Sequence, residues 1–169
     1  GQGTVLGVRF QDRAELEGAI ALYESVVRDV LSGVYNRRHF DERIAAEWAY
    51  AARHRSALAL ILIDVDHFKQ VNDTHGHLGG DAALRSVGAT LKAQVRTEDI
   101  AARYGGEEFA VLARGIDETQ VAQFAERLRR AIEGTPVAYG DETIRLTASF
   151  GTAVMHHARS VPDPASLVA

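Results

Sequence analysis

The residues best suited to chemistry in this chain lie in Arg103-Tyr104-Gly105-Gly106-Glu107-Glu108-Phe109. Two glycines followed by two glutamates, between Asp99-Ile-Ala-Ala-Arg-Tyr104 and Phe109-Ala-Val-Leu-Ala113, read as strand, tight turn, strand, with the acids at the turn. Adjacent glutamates at a hairpin tip repel each other. A third carboxylate brought to ~4 Å would add about 4 kcal/mol at an effective dielectric of about 20, so convergence there requires a cation. The run Ala57-Leu-Ala-Leu-Ile-Leu-Ile63 offers that third group, because it has the pattern of a buried strand and ends in Asp64-Val65-Asp66. Carboxylate oxygens, a backbone carbonyl and no sulfur suit Mg2+ or Mn2+. His67, His75 and His77 raise zinc as a competitor, but they lack the i, i+4 ligand spacing with an acidic general base. Taken alone, Gly-Gly-Glu-Glu reads more simply as a solvated turn, so the elements around it must decide.

Those elements can be laid out in order. Thr4–Phe10 reads as a short strand with no local partner. Asp12, with Glu15 three residues on, is a helix N-cap, and the helix it opens runs to about Leu31. Leu16, Ile20, Tyr23, Val27 and Val30 are spaced four, three, four, three along it. That stripe is either a coiled-coil seam or a face packed on the chain's own domain, and both readings stay open. Gly33 breaks the helix, and Asn36 caps the next, over Arg37–His54. A strand over 58–65, a short helix near His67–Val71, a Gly/His-rich turn and a helix from about Gly80 to Gln94 follow. The strand 99–104 and its hairpin partner 107–113 carry the acidic turn. Asp117 caps a helix to about Glu133, and Pro136–Tyr139 with Thr143–Met155 reads as a last hairpin about Gly140-Asp141-Glu142.

Along this layout lie Asp29-Val-Leu-Ser-Gly-Val-Tyr-Asn-Arg-Arg38, Asp64-Val-Asp-His-Phe-Lys69, Asn72-Asp73, Gly76-His77, Gly80-Asp81 and Gly105-Gly-Glu-Glu-Phe109. From Asp29 to about Gly151 the chain thereby resembles the GGDEF family of diguanylate cyclases, which condense two GTP into cyclic di-GMP. Ser32 and Val34 stand where that family usually has Thr and Leu, which are conservative changes. The element order is that of an α+β, ferredoxin-like split βαβ sheet with helices on one face, as in nucleotidyl-cyclase and polymerase palms. A right-handed crossover makes the 58–65 and 99–104 strands parallel, with 107–113 running back between them, so Asp64 and the Glu107-Glu108 turn share one edge.

The resemblance implies roles for individual residues. Asp64, the carbonyl of Val65 and Glu107 would hold Mg2+ (or Mn2+), with Glu108 a further ligand, and Glu107 is also the family's proposed proton acceptor. Asn72 and Asp81 would recognise the guanine base, with His77 also contacting substrate. Asp81 also has the simpler reading of an N-cap. Arg96 and Asp99 match the family's inhibitory product site, although an Arg and an Asp at this spacing are more often a surface ion pair worth under about 1 kcal/mol. Arg127 matches the position that in some members reaches product bound by a second protomer. A catalytically weak cyclic di-GMP receptor and a mixed GMP–AMP cyclase are the alternatives. The acid cluster argues against the first and Asp81 against the second.

Composition agrees with such a domain. At 169 residues and 46% hydrophobic, the chain has the size of one domain with an appendage, able to bury about two thirds of its unfolded surface. A net charge of −4 gives no general attraction to nucleic acid or anionic lipid. The absence of cysteine excludes disulfides and thiolate metal sites. There is neither an apolar run of ~18 residues nor a signal peptide, so nothing in this chain marks it for a membrane or export. Without an initiating methionine the chain reads as a piece of a longer protein. Residues 1–11 would be the remnant of an upstream sensor module, 12–31 a signalling helix, and 32–169 the catalytic domain of a cytoplasmic homodimer. The family continues after the position of Met155 into a helix whose Lys and following Arg hold triphosphate, whereas this sequence ends at Ala165-Ser-Leu-Val-Ala169.

Overall fold

The computed structural model describes residues 12–155, so the strand expected over Thr4–Phe10 and the last residues of the chain lie outside it. Helix α1 (Arg13–Val27) opens where the Asp12 carboxylate accepts the Glu15 amide at 2.8 Å. It ends at Val27 rather than near Leu31, because Arg28 turns extended and bridges to Tyr35. Val30 therefore leaves the apolar stripe. Leu16, Ile20 and Tyr23 are exposed and only Val27 of the stripe is buried, so packing on the described domain does not account for the pattern.

A two-residue strand that periodicity could not reveal, β1 (Tyr35–Asn36), follows. Asn36 closes it with two separate tasks: its Oδ1 accepts the His39 amide at 2.9 Å to cap α2 (Arg37–His54), while its Nδ2 donates to the Val26 carbonyl at 2.7 Å. The rest of the chain forms β2 (Leu58–Val65), α3 (Phe68–Gln94), β3 (Ile100–Arg103), β4 (Glu108–Arg114), α4 (Glu118–Glu133), β5 (Val137–Tyr139), β6 (Glu142–Ile144) and β7 (Ala148–Met155). Asp117 and Gln120 build a reciprocal capping box at the start of α4.

The main sheet has the order β1-β3-β4-β2-β7. Strand β4 lies between β2 and β3 and is antiparallel to both, so β2 and β3 run parallel as the split βαβ pattern requires. Two details differ from expectation. Helices cover both faces: Ala59, Ile61, Ile63 and Val65 of β2 join the core under α3 and α4, whereas Leu60 and Leu112 pack with Phe40 and Ile44 of α2. A strand apolar at every position has two faces to bury, and the sequence 58–63 is such a strand. The last hairpin is also divided. Strands β5 and β6 form a small sheet of their own, and the chain re-enters the main sheet as β7 beside β2, with Ile63 opposite Phe150.

Helix α2 is fixed to its face by Glu47, 2% exposed, whose carboxylate accepts two hydrogen bonds from the Arg114 guanidinium and a third from Arg43. Helix α3 approaches the loop after α1 so closely that a Cβ at Gly88 would sit far inside van der Waals contact with the Ser32 carbonyl. None of the helices among the described residues is long and apolar enough to cross a membrane. Gly88→Ala is therefore expected to force α3 and the Ser32 backbone apart, at a cost of about 1–3 kcal/mol, read as a lower urea midpoint with an unchanged slope.

Candidate active site

The β2–β4 register sets Asp64 directly opposite Glu108. Glu107 stands in the turn before it, and its carbonyl accepts the Val65 amide at 3.2 Å, which pins the turn to the strand that carries Asp64. The Tyr104 and Gly105 amides donate to the Glu108 carbonyl at 2.8 and 3.2 Å and close the loop. A Cβ at Gly105 would displace the Glu108 carboxylate from its position over the turn. From the last position of β3, Arg103 donates through Nε and Nη2 to the Gly106 carbonyl at 3.0 and 2.7 Å. Asp64, Val65, Glu107 and Glu108, expected together from the sequence, are thus brought to one edge of the sheet.

No ion pair or side-chain hydrogen bond among the described residues compensates Asp64, Glu107 or Glu108. Asp64 and Glu108 line a cavity of about 370 Å³ together with Leu62, Tyr104 and Phe150. Among the described residues no group of three or more His, Asp or Glu closes into a protein-only cage. Mg2+ does not need one, since it takes one or two carboxylates and completes its shell with water and phosphate oxygens. Uncompensated oxygen donors at an open cavity fit that ion. Asp66 belongs to a different arrangement: the Ser149 and Thr147 hydroxyls donate to it at 2.6 and 2.7 Å and hold its carboxyl below the usual range. Its oxygens are already engaged, which sets it apart from Asp64.

Asn72, His77 and Asp81 lie on α3, which is broken only at Gly76 (φ 70°, ψ 174°). The helix thus resumes before Gly80, and Asp81 is an interior residue rather than the N-cap. Gly79 and Gly80 serve close approach instead: a Cβ at Gly79 would collide with the His75 side chain and one at Gly80 with the Asn72 amide. Asn72 is in this way packed beside the residue preceding Asp81, while His77 is exposed. At its other end α3 starts from His67, whose φ of 54° is left-handed and whose side chain makes no capping bond. The Gln70 amide already donates to the His67 carbonyl at 2.8 Å, which leaves those of Phe68 and Lys69 open to an anion, a feature the sequence pattern did not signal.

Arg96, Asp99 and Arg127 line a second cavity, of about 230 Å³, with Phe124. Arg127 reaches it within one protomer, its Nη2 donating to the Gln94 carbonyl at 3.1 Å and its guanidinium 4.6 Å from the Phe124 ring centre. Arg96 and Asp99 are not a surface ion pair. Asp99 is 6% exposed, its Oδ2 accepts the Arg96 amide at 3.0 Å, and its Oδ1 is buried with no hydrogen-bond partner among the described residues.

Residues 26–166 match the family model for the diguanylate cyclase GGDEF domain. The chain is 43% identical over 142 residues to YhcK of Bacillus subtilis strain 168, covering 82% of this chain and 39% of that protein. It is 38% identical over 128 residues to the diguanylate cyclase DgcP of Pseudomonas aeruginosa PAO1, covering 76% of this chain and 19% of that protein. The chain thus spans well under half the length of these relatives. The crystal structure of the GGDEF domain of DgcB from Caulobacter crescentus, in complex with c-di-GMP, superposes with a TM-score of 0.77 at 30% identity, covering 84% of this chain and 83% of that one.

The buried carboxyl at 99 has a pH signature of its own. Burial raises its pKa above the ordinary aspartate value, against the opposing pull of the Arg96 amide and charge and of the Arg114 amide. A carboxyl raised on folding favours its neutral form, so the folded state loses stability as pH rises from the unfolded value through the folded one. Asp99→Asn removes that loss. Urea unfolding of both proteins at pH 4 and pH 7 checks this: the stability of Asp99→Asn relative to wild type should increase with pH.

Proposed function

The chain belongs to the GGDEF family of diguanylate cyclases, and on that footing we propose that it is a Mg2+-dependent (or Mn2+-dependent) domain joining two GTP into cyclic di-GMP with release of two pyrophosphates. The observation that carries this reading is the register pair Asp64–Glu108, which lines an open cavity, with the Glu107 backbone pinned beside it and no side-chain partner among the described residues compensating any of the three carboxylates. Asp64, the Val65 carbonyl and Glu107 would hold the ion, with Glu108 as a further ligand. When bound, the metal lowers the charge on the attacking and leaving oxygens.

The remaining tasks fall to side chains and amides of α3 and the turn. An ionised Asp81 accepts both N1–H and N2–H of guanine, whereas adenine offers an acceptor at N1, so the site selects GTP. Asn72 would support the base and His77 would contact substrate, while the Phe68 and Lys69 amides at the start of α3 suit the phosphates. As the 3′-oxygen of one GTP bonds to the α-phosphorus of the other and pyrophosphate departs, the Glu107 carboxylate would take the hydroxyl proton through an oxygen that it does not commit to the metal, its role as ligand coming first. One half-site holds one GTP, so the reaction calls for a homodimer. The exposed Leu16, Ile20 and Tyr23 of α1 suit a parallel pairing that would link two such domains to an upstream sensor. A supply of GTP is met in the cytoplasm.

The unpartnered Asp99 Oδ1 supports a second ligand position, for the cyclic di-GMP product. Guanine N1–H and N2–H complete its hydrogen bonding, and Arg96 and Arg127 offer forked donors to phosphate or to the guanine Hoogsteen edge. A receptor without catalysis would use this cavity alone and leave the acidic edge without purpose.

Glu107→Gln and Asp64→Asn are each expected to abolish cyclic di-GMP formation from GTP and Mg2+, with the folded state as stable as wild type or more so, since each removes a like charge. Product identification after incubation decides, and a variant keeping most of the wild-type rate would overturn the assignment. Arg96→Ala is expected to weaken cyclic di-GMP binding at least about tenfold, or about 1.5 kcal/mol. Calorimetry reads the affinity, and equal binding by both proteins would remove the product site.

A further inference from the structure

We propose that Arg103 and Asp29 are positioning residues for the catalytic turn, the Arg103 guanidinium holding the Gly106 carbonyl, and with it Glu107, at a point set by the segment that leaves α1. The proposal rests on the role given to Glu107 above. Arg103 uses both edges of its planar group: Nε and Nη2 donate to the Gly106 carbonyl, and Nη1 donates to Asp29 Oδ1 at 3.2 Å. A guanidinium is rigid, so its two partners cannot shift independently. The side chains of Arg103 and Asp29 are 18% and 24% exposed, which shields the contact from much of the solvent screening that weakens surface pairs.

Asp29 is itself held. Its Oδ1 accepts the Ser32 amide at 2.8 Å and the Ser32 hydroxyl at 2.6 Å, and its backbone amide donates to the Val34 carbonyl at 2.9 Å. Burial alone would raise its pKa, but the two Ser32 bonds and the Arg103 charge outweigh it and keep the carboxyl below its ordinary value. Ser32 is buried and pressed against α3 at Gly88. On the other side, Asn36 pairs with Arg103 in the β1–β3 register and its side chain donates to the Val26 carbonyl in the last turn of α1. The α1 exit, the Asp29 loop and the catalytic turn therefore form one connected frame. At the far end of it Gly106 has no side chain of its own to pack, and a glycine released there samples many backbone conformations.

The base-binding residues Asn72 and Asp81 lie on α3, which the frame touches at Gly88, and neither bonds to Arg103 or Asp29. Releasing the clamp should consequently disturb Glu107 and spare GTP recognition. The test compares wild type with Arg103→Lys, which keeps a charge for Asp29 but loses the fork, and Asp29→Asn, which keeps an acceptor for Ser32 but loses the charge. Leu128→Ala, in the core under α4, serves as a variant destabilised away from the turn. Turnover of GTP with Mg2+ should fall by about ten- to a hundredfold in the two clamp variants, with KM for GTP nearly unchanged and the Mg2+ half-saturation raised. Amide hydrogen exchange across residues 104–108 should accelerate in both clamp variants and not in Leu128→Ala. Unchanged turnover and exchange in the clamp variants, or the same changes in Leu128→Ala, would overturn the proposal. If wild type makes no cyclic di-GMP while exchange still accelerates only in the clamp variants, the functional reading fails and the clamp stands.

Discussion

The structure depends on the register between β2 and β4, because it sets Asp64 against Glu108. Two carboxylates directly opposed across a ladder repel each other, so the pairing has to be imposed by something stronger. The imposing force is the burial of β2 in the middle of the sheet, with β4 on one side and β7 on the other. Ala59, Ile61 and Ile63 face α3 and α4, while Leu60 faces α2, and each side is shaped for its own residues. A slip by one residue would exchange the two sets. The hydrophobic core thus holds an electrostatically unfavourable edge in place, and the α1–Asp29–Arg103 frame reaches the same edge from outside.

Two buried acids differ in how far their hydrogen bonding is satisfied. Glu47 and Asp99 are both almost fully buried. Glu47 accepts from two guanidinium groups and ties α2 to the sheet, its charge fully paired. Asp99 has one oxygen engaged by a backbone amide and the other unpartnered in a cavity walled by Arg96 and Arg127. Burial of the carboxyl outweighs the pull of the Arg96 and Arg114 amides and of the Arg96 charge, and its pKa is raised for that reason. A ligand that donates to the unpartnered oxygen gains from relieving the cost of that burial.

Glycines set the geometry of the acidic turn and of α3. Gly105 lets the Glu108 carboxylate fold back over the turn, Gly79 and Gly80 let the two limbs of α3 meet, and Gly88 seats that helix on the Ser32 backbone. Only Gly76 among those in α3 is needed for its left-handed torsion. The glycine-rich character of the motifs is therefore chiefly a matter of space.

The sequence by itself determined what depends on neighbours a few residues apart. The caps at Asp12, Asn36 and Asp117, the extent of α2 and β2, the acidic turn and the family motifs were all legible, because a cap closes over three residues and periodicity over a single element. The parallel relation of β2 and β3 also followed, since chain chirality leaves one economical crossover. Tertiary structure alone decided the covering of both sheet faces, the short β1, the return of β7 to the edge beside β2, and the early end of α1. It alone joined Arg103 to Asp29, 74 positions away, and left Asp99 buried with a free oxygen instead of paired to Arg96. These outcomes turn on which surfaces and hydrogen-bonding groups meet once the core has closed, and spacing along the chain carries no measure of that.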